Sequence, residues 1–95
     1  MGVLAMLELE GDTSELMTAS VEIDRLLPAP DGLLARIVAP TDNGMVLFQL
    51  WESAAARQRN ADDATHAEAL AASGILVAAR GMRSRIFDGA VLQRS

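Results

Sequence analysis

The chain contains no cysteine, lysine or tyrosine, and its only aromatic side chains are one tryptophan and two phenylalanines. Without cysteine it can form neither a disulfide framework nor a reactive thiolate, which fits a reducing, cytoplasmic compartment. No apolar run approaches the about 20 residues that a transmembrane helix needs, so we expect no membrane association. The first residues carry no basic leader, and we therefore expect no signal peptide.

Negative charge dominates the sequence: it has 13 acidic residues and eight arginines, and the formal net charge is −5. The arginines are scattered, and Arg80, Arg83 and Arg85 form the only local cluster. A nucleic-acid-binding surface needs many phosphate contacts from a basic stripe, which this sequence lacks. We therefore expect no nucleic-acid partner and interpret the cluster as solvated surface.

Ninety-five residues, 51% of them hydrophobic, are enough for one modest core and one domain spanning residues 1–95. The central stretch begins at Asn43-Gly44, and this dipeptide between two apolar runs is a strong hairpin signal. An apolar strand over residues 45–51 or 52 follows it. Ser53 is a good N-cap for the alanine-rich segment after the strand. This stretch contains Trp51, the only tryptophan.

The other elements follow from apolar periodicity and from helix start and stop signals. Strands are predicted over residues 3–10, 33–39 and 84–92, the last bent at Gly89. Helices are predicted over residues 12–27 and 54–73, with Gly74 ending the second, and residues 75–79 form a short helix or a turn. The order β-α-β-β-α-β predicts a ferredoxin-like α+β fold, with an antiparallel sheet and both helices on one face.

The predicted sheet is apolar on both faces, whereas a sheet with one solvated face alternates apolar and polar residues. In the third strand Leu47 and Trp51 lie on one side, and Val46, Phe48 and Leu50 on the other. The helices can cover only one face, so a second copy of the chain is the simplest cover for the other. We predict a homodimer through this open face; the alternative is a monomer with a weakly apolar face.

The element order and Leu50-Trp51-Glu52-Ser53 after the hairpin resemble the dimeric α+β barrel superfamily, and most closely its antibiotic-biosynthesis-monooxygenase-like domains. The resemblance spans residues 3–92. It implies a homodimeric barrel with a small pocket between sheet and helices in each subunit. Some members oxidise aromatic polyketides with molecular oxygen and need neither metal nor organic cofactor. Many carry a pocket histidine nine residues after the motif's aromatic residue, where this chain has Asn60.

Four residues are predicted to bind substrate: Trp51, Gln49, Asn60 and Arg36. Trp51 could line the pocket and donate one hydrogen bond, or simply anchor strand to helix. Gln49 is a polar amide in an apolar strand and needs a partner, which a ligand or a neighbouring strand would supply. Arg36 could steady an anionic substrate, pair with a carboxylate, or be solvated.

Asn60 is predicted to face the sheet within a stripe of small side chains. Such small side chains either leave a cavity next to Asn60 or let the helix pack closely against the sheet. The stripe comprises Ala56, Ala64, Ala67 and Ala71. His66, the only histidine, is expected to lie off this stripe at the surface, paired with Asp62. Ser53 is better explained as a helix cap than as a nucleophile.

Three functions remain open. A cofactor-independent oxygenase acting on an aromatic or polyketide-like compound predicts a closed apolar cavity bordered by Trp51, Gln49 and Asn60. A ligand-binding or interaction module of the same fold would bind without turnover, as the absence of tyrosine favours. A small subunit within a larger assembly is the third.

Overall fold

The computed structural model describes residues 2–93 as one four-stranded antiparallel sheet with its helices packed on one face. The strands lie in the order β2-β3-β1-β4. The ferredoxin-like α+β arrangement predicted from the sequence is confirmed. The strand bounds are β1 Gly2–Gly11, β2 Leu33–Thr41, β3 Gly44–Trp51 and β4 Ala79–Ala90.

The helix layer consists of α1 (Thr13–Leu26), α2 (Ala54–Ala61), α3 (Ala64–Ser73) and the single turn α4 (Ile75–Ala78). The side chain of Asp12 caps α1 by accepting a hydrogen bond from the Glu15 amide at 2.9 Å. Ser53 caps α2 by accepting from the Ala56 amide at 3.1 Å, as expected. Such caps satisfy amides that the first turn of a helix leaves without partners.

The predicted continuous helix over residues 54–73 is wrong, because the chain breaks at Asp62 and Asp63. The Asp63 side chain accepts from the Thr65 amide at 2.8 Å and so starts a new helix, α3. The break changes which face of α3 meets the sheet: Ala69 is buried, whereas the alanines predicted to face inward are exposed, namely Ala64, Ala67 and Ala71. Only Ala56 of the predicted stripe is buried.

The hairpin between β2 and β3 forms where it was predicted, but Asn43-Gly44 is not its central pair. Thr41 pairs with Gly44, so the two turn residues are Asp42 and Asn43, and neither has a positive φ. Gly44 is instead buried in β3, where an added Cβ would lie 1.8 Å from the Leu9 carbonyl oxygen of β1. Glycine is needed there because the two backbones approach closely.

Strand β4 begins at Ala79, five residues before the predicted Ser84, and ends at Ala90 instead of Leu92. The predicted bend at Gly89 is confirmed as a β-bulge: Gly2 pairs with Ala90 and Val3 with Asp88, which leaves Gly89 unpaired at φ 75°. A positive φ at the extra residue is a conformation that glycine adopts at little cost.

The core lies between α1 and the middle of the sheet. Leu16 of α1 and Met45 of β3 are completely buried, and Ala19, Ile23 and Ile75 complete the cluster. A smaller cluster at the end of β3 joins Val3, Trp51 and Ala56. The two clusters leave a gap between the sheet and the helices, and this gap forms the candidate site.

The other side of the sheet, the outer face, carries no helix. In β1 it presents Leu4 and Met6, which pair with Leu50 and Phe48 of β3. Ile37 on the edge strand β2 is 62% exposed. On β4 the guanidinium of Arg85 lies 4.9 Å from the centroid of the Phe87 ring. None of the helices in residues 2–93 is long and apolar enough to cross a membrane.

Candidate functional site

A cleft of about 980 Å³ lies between the inner face of the sheet and the helices. It runs from the α1–β2 loop at Pro28 and Pro30 to the start of β4 at Arg80 and Met82. Its floor is mainly aliphatic side chains of β1, β2 and β3, including Leu7, Leu9, Val38 and Leu47. All four residues predicted from the sequence, Trp51, Gln49, Asn60 and Arg36, line this cleft.

Trp51 is the last residue of β3 and is 1% exposed. Its ring packs against Val3 of β1 and Ala56 of α2. The indole Nε1–H is buried and has no hydrogen-bond partner within residues 2–93. A buried donor without a partner costs about 1–3 kcal/mol, so a hydrogen bond from this donor to an acceptor atom would stabilise the protein.

Gln49 and Arg36 lie opposite each other on neighbouring strands and face the helices. The Arg36 guanidinium forms an ion pair with Asp24 of α1 and donates to the Ser20 hydroxyl oxygen at 3.3 Å. Of the alternatives for Arg36, pairing with a carboxylate is the one that forms. The Arg36 side chain is 18% exposed and that of Asp24 is 63% exposed, so solvent screens the pair.

Asn60 is half-buried near the end of α2, where its carbonyl oxygen accepts from the Asp63 amide at 3.2 Å. Arg57 lies three residues earlier on the same side of α2 and also lines the cleft. The sequence prediction missed Arg57. Its spacing from Asn60 is the signal that could have identified it, because residues three apart share a helix face.

His66 was expected at the surface, and this prediction is wrong. The side chain is half-buried and lines the cleft. Because the chain breaks at Asp62 and Asp63, the rotation of α3 about its axis is independent of α2. The direction of His66 therefore cannot be calculated from that of Asn60 by assuming one continuous helix. The expected Asp62–His66 pair does not form. The Asp62 carboxylate instead accepts a hydrogen bond from the side-chain amide of Gln58 at 3.0 Å.

The cleft is open to solvent on one side, whereas the oxygenase hypothesis predicted a closed cavity. The helices do not reach across β4, so Met82 and Ile86 on its inner face remain 63% and 45% exposed. Within residues 2–93 no three histidine, aspartate or glutamate side chains are grouped in a way that could hold a metal ion. What the cleft offers is apolar surface with a few polar side chains at fixed positions.

Solved structures share this fold over nearly the whole chain. A dimeric ferredoxin-like protein of unknown function from Jannaschia sp. CCS1 is 17% identical and superposes with a TM-score of 0.72, covering 93% of this chain and 99% of its own. A variant of SnoaB, a cofactor-independent oxygenase from Streptomyces nogalater, is 11% identical with a TM-score of 0.71, covering 99% and 96%.

A candidate antibiotic biosynthesis monooxygenase from Deinococcus radiodurans is 14% identical with a TM-score of 0.70, covering all of this chain and 98% of its own. No protein-family model matches the chain, and no curated protein is similar to it in sequence. The chain therefore has the ferredoxin-like fold that the resemblance to the antibiotic-biosynthesis-monooxygenase-like domains implied. Identities this low establish the fold and leave the activity to be argued from the site.

Proposed function

We propose that the protein binds a small aromatic or polyketide-like molecule in the cleft and oxidises it with molecular oxygen, as a cofactor-independent monooxygenase. The observation that carries the proposal is the buried, unpartnered Nε1–H of Trp51 at the wall of an apolar cleft of about 980 Å³. That volume is at the upper end of the range for small-molecule sites, about 300–1,000 Å³. A tricyclic or tetracyclic ring system fits within it.

In this proposal Trp51 donates its hydrogen bond to a carbonyl or phenolic oxygen of the substrate, and Gln49 and Asn60 fix the orientation of the rings. A monooxygenase without a cofactor must take all of the electrons that reduce O₂ from the substrate. An activated CH₂ group and O₂ then give a carbonyl group and water, which balances atoms and electrons. The donors of the cleft would favour this reaction by stabilising the enolate formed when the CH₂ group loses a proton.

His66 gives this proposal a proton acceptor that the sequence prediction did not include. It is the only imidazole in the chain and it lines the cleft. A neutral imidazole has one nitrogen that can accept a proton, so His66 is suited to accept the CH₂ proton. Because Asn60 stands where many similar proteins have a histidine, His66 would supply the base from a different position on the helix layer.

We further propose that the outer face is the dimer interface. Leu4, Met6, Phe48 and Ile37 form a continuous apolar strip over three strands of this face. Burying a few such side chains contributes roughly 1.5–3 kcal/mol each, enough to hold a dimer of small subunits. A neighbour with this fold is itself dimeric, which supports the same assembly here.

The second candidate is a binding protein of the same fold that does not turn its ligand over. The open side of the cleft favours it, because exclusion of water protects a reactive enolate and strengthens electrostatic stabilisation. The absence of tyrosine also removes one common proton donor. This candidate shares the ligand site and the dimer with the first and differs only in chemistry.

Oxygen consumption with anthrone separates the two candidates, since anthrone is a tricyclic ketone with an activated CH₂ group. The oxygenase predicts protein-dependent uptake of one O₂ for each anthraquinone formed, lost in His66→Gln and retained in Arg59→Gln, which alters an exposed residue of α2 outside the cleft. Saturable binding of anthrone without oxygen uptake would instead support the binding protein. Absence of binding would contradict both.

A further inference from the structure

Charged side chains are distributed unevenly between the cleft and the rest of the molecule. Within residues 2–93, the cleft is lined by three arginines, Arg36, Arg57 and Arg80, but by only one acidic residue, Asp24. Its lining thus carries a formal charge of +2, although the chain as a whole carries −5. In an acidic protein such a concentration of positive charge attracts anions to one place.

The hydrogen-bonding capacity of the cleft has the same bias. The indole of Trp51 and the guanidinium groups are donors only, whereas the amides of Gln49 and Asn60 and the imidazole of His66 can both donate and accept. Asp24 is the only carboxylate that the described part of the chain places at the cleft, and its ion pair with Arg36 already engages it. A ligand that satisfies this lining must therefore supply acceptors.

Two of the arginines are not committed to the protein itself. Within residues 2–93, neither Arg57 nor Arg80 forms an ion pair or a side-chain hydrogen bond. Arg57 is half-buried on the helix wall, and Arg80 is exposed at the start of β4. A half-buried guanidinium without a carboxylate partner binds an incoming anion more strongly than a solvated one, because less water competes.

We infer that the ligand of the cleft carries an acidic group ionised at neutral pH, attached to an apolar ring system. Arg57 binds the acidic group, Arg80 adds attraction at the open end, and the rings lie on the aliphatic floor beside Trp51. This inference rests on the proposed function, because it specifies the class of molecule that the same cleft accepts. A carboxylate, a sulfonate and a phosphate share the chemistry that Arg57 recognises.

Two fluorescent probes test the inference, since they differ only in the acidic group. 8-Anilinonaphthalene-1-sulfonate carries a sulfonate, and N-phenyl-1-naphthylamine has the same ring system without it. The single tryptophan gives one indole signal in a ¹H–¹⁵N correlation spectrum, and this signal reports binding in the cleft. We expect both probes to move it and the sulfonate to bind about tenfold more tightly at low ionic strength.

Arg57→Gln and Arg59→Gln form a matched pair on α2: each removes one positive charge, but only Arg57 lines the cleft. We expect Arg57→Gln to weaken binding of the sulfonate probe about 3- to 10-fold, a modest effect because the side chain is partly solvated. Binding of the neutral probe should stay unchanged, as should binding of both probes to Arg59→Gln. Arg80→Gln provides a second variant, with a smaller loss expected, should Arg57→Gln fail to fold.

Equal affinity for the two probes, or equal effects of the two α2 variants, would overturn the inference while leaving the cleft as a ligand site. If neither probe moves the indole signal although both bind the protein, the cleft is not the site. The proposed function and the inference would then fail together.

Discussion

Replacing Trp51 by phenylalanine should separate ligand recognition from core packing. The substitution removes the unpartnered Nε1–H, which relieves the folded protein of about 1–3 kcal/mol of desolvation cost. It also removes two ring carbons from a site that is 1% exposed, at a cost of about 1.6 kcal/mol. The two effects nearly cancel, so we expect the free energy of unfolding to change by less than about 1 kcal/mol.

Ligand affinity should behave differently. A neutral hydrogen bond contributes about 0.5–1.5 kcal/mol net, so loss of the indole donor should weaken binding of an aromatic ketone about 2- to 12-fold. Urea unfolding followed by circular dichroism gives the stability, at a fixed protein concentration because a dimer dissociates on dilution. Calorimetric titration with the ketone gives the affinity.

Val3→Ala is the matched control, because Val3 packs against the same ring and carries no polar side-chain atom. It should lower stability by about 1–2 kcal/mol through lost burial and leave the affinity nearly unchanged. The reasoning would be refuted if Trp51→Phe cost about 3 kcal/mol of stability or more and did not alter binding. Trp51 would then be a core anchor and no more.

Gly89→Ala should destabilise the protein by about 1–2 kcal/mol in urea unfolding because φ is 75° there. Gly81→Ala should not, because an added Cβ would come no closer than 3.5 Å to another residue. Ile37→Glu should weaken dimerisation roughly 100-fold in sedimentation experiments, because each subunit loses at least about 1.5 kcal/mol of apolar burial and two-fold symmetry doubles that loss. Val77→Glu, which alters an exposed residue away from the sheet, is its control. The pKa of Glu22 lies below its usual 4.5 because the Arg25 guanidinium donates to the Glu22 carboxylate. The Glu22 carboxylate therefore stabilises the folded protein above pH 4.5, and this contribution is lost as the pH falls through the lowered pKa. Glu22→Gln should flatten this part of the curve of stability against pH. An unchanged result for Gly89→Ala, Ile37→Glu or Glu22→Gln would contradict the corresponding reasoning.

The strands and the fold could be predicted because their signals are local and agree with one another. Alternating apolar residues defined β1, and Gly89 marked the bulge of β4 before any pairing was known. The hairpin was located correctly for a reason that was only partly right. Gly44 is required by the Leu9 carbonyl of a strand 35 residues away, and a turn rule has no access to that contact.

The start of β4 was missed because Ala79 and the residues after it have no strong strand preference. Pairing with β1 recruits them: Gly81 pairs with Glu10 and Ala79 with Gly11. Tertiary contacts of this kind commonly extend a strand beyond its own sequence signal.

The site could be predicted only in part. Side chains alternate between the two faces of a strand, so Gln49 and Trp51 of β3 lie on the same face, which is the helix side. Arg36 lies on that side too, because it pairs with Gln49. The predicted positions of the helix-layer residues assumed one continuous helix. Asp63 interrupts that helix by capping a new one, α3. That aspartate was visible in the sequence as a possible N-cap. Interpreting it as one would have predicted the break, but not the rotation of α3 that brings His66 to the cleft.

The most direct test of the account is the indole signal of Trp51 during a titration with an aromatic ketone. Because the chain has one tryptophan, the assignment needs no further labelling. We expect the Nε1–H proton to move downfield and to saturate at the affinity that calorimetry gives, as a donor does when it gains an acceptor. A signal that stays in place while the ketone binds would show that the buried donor is not part of the ligand site, and would contradict the account.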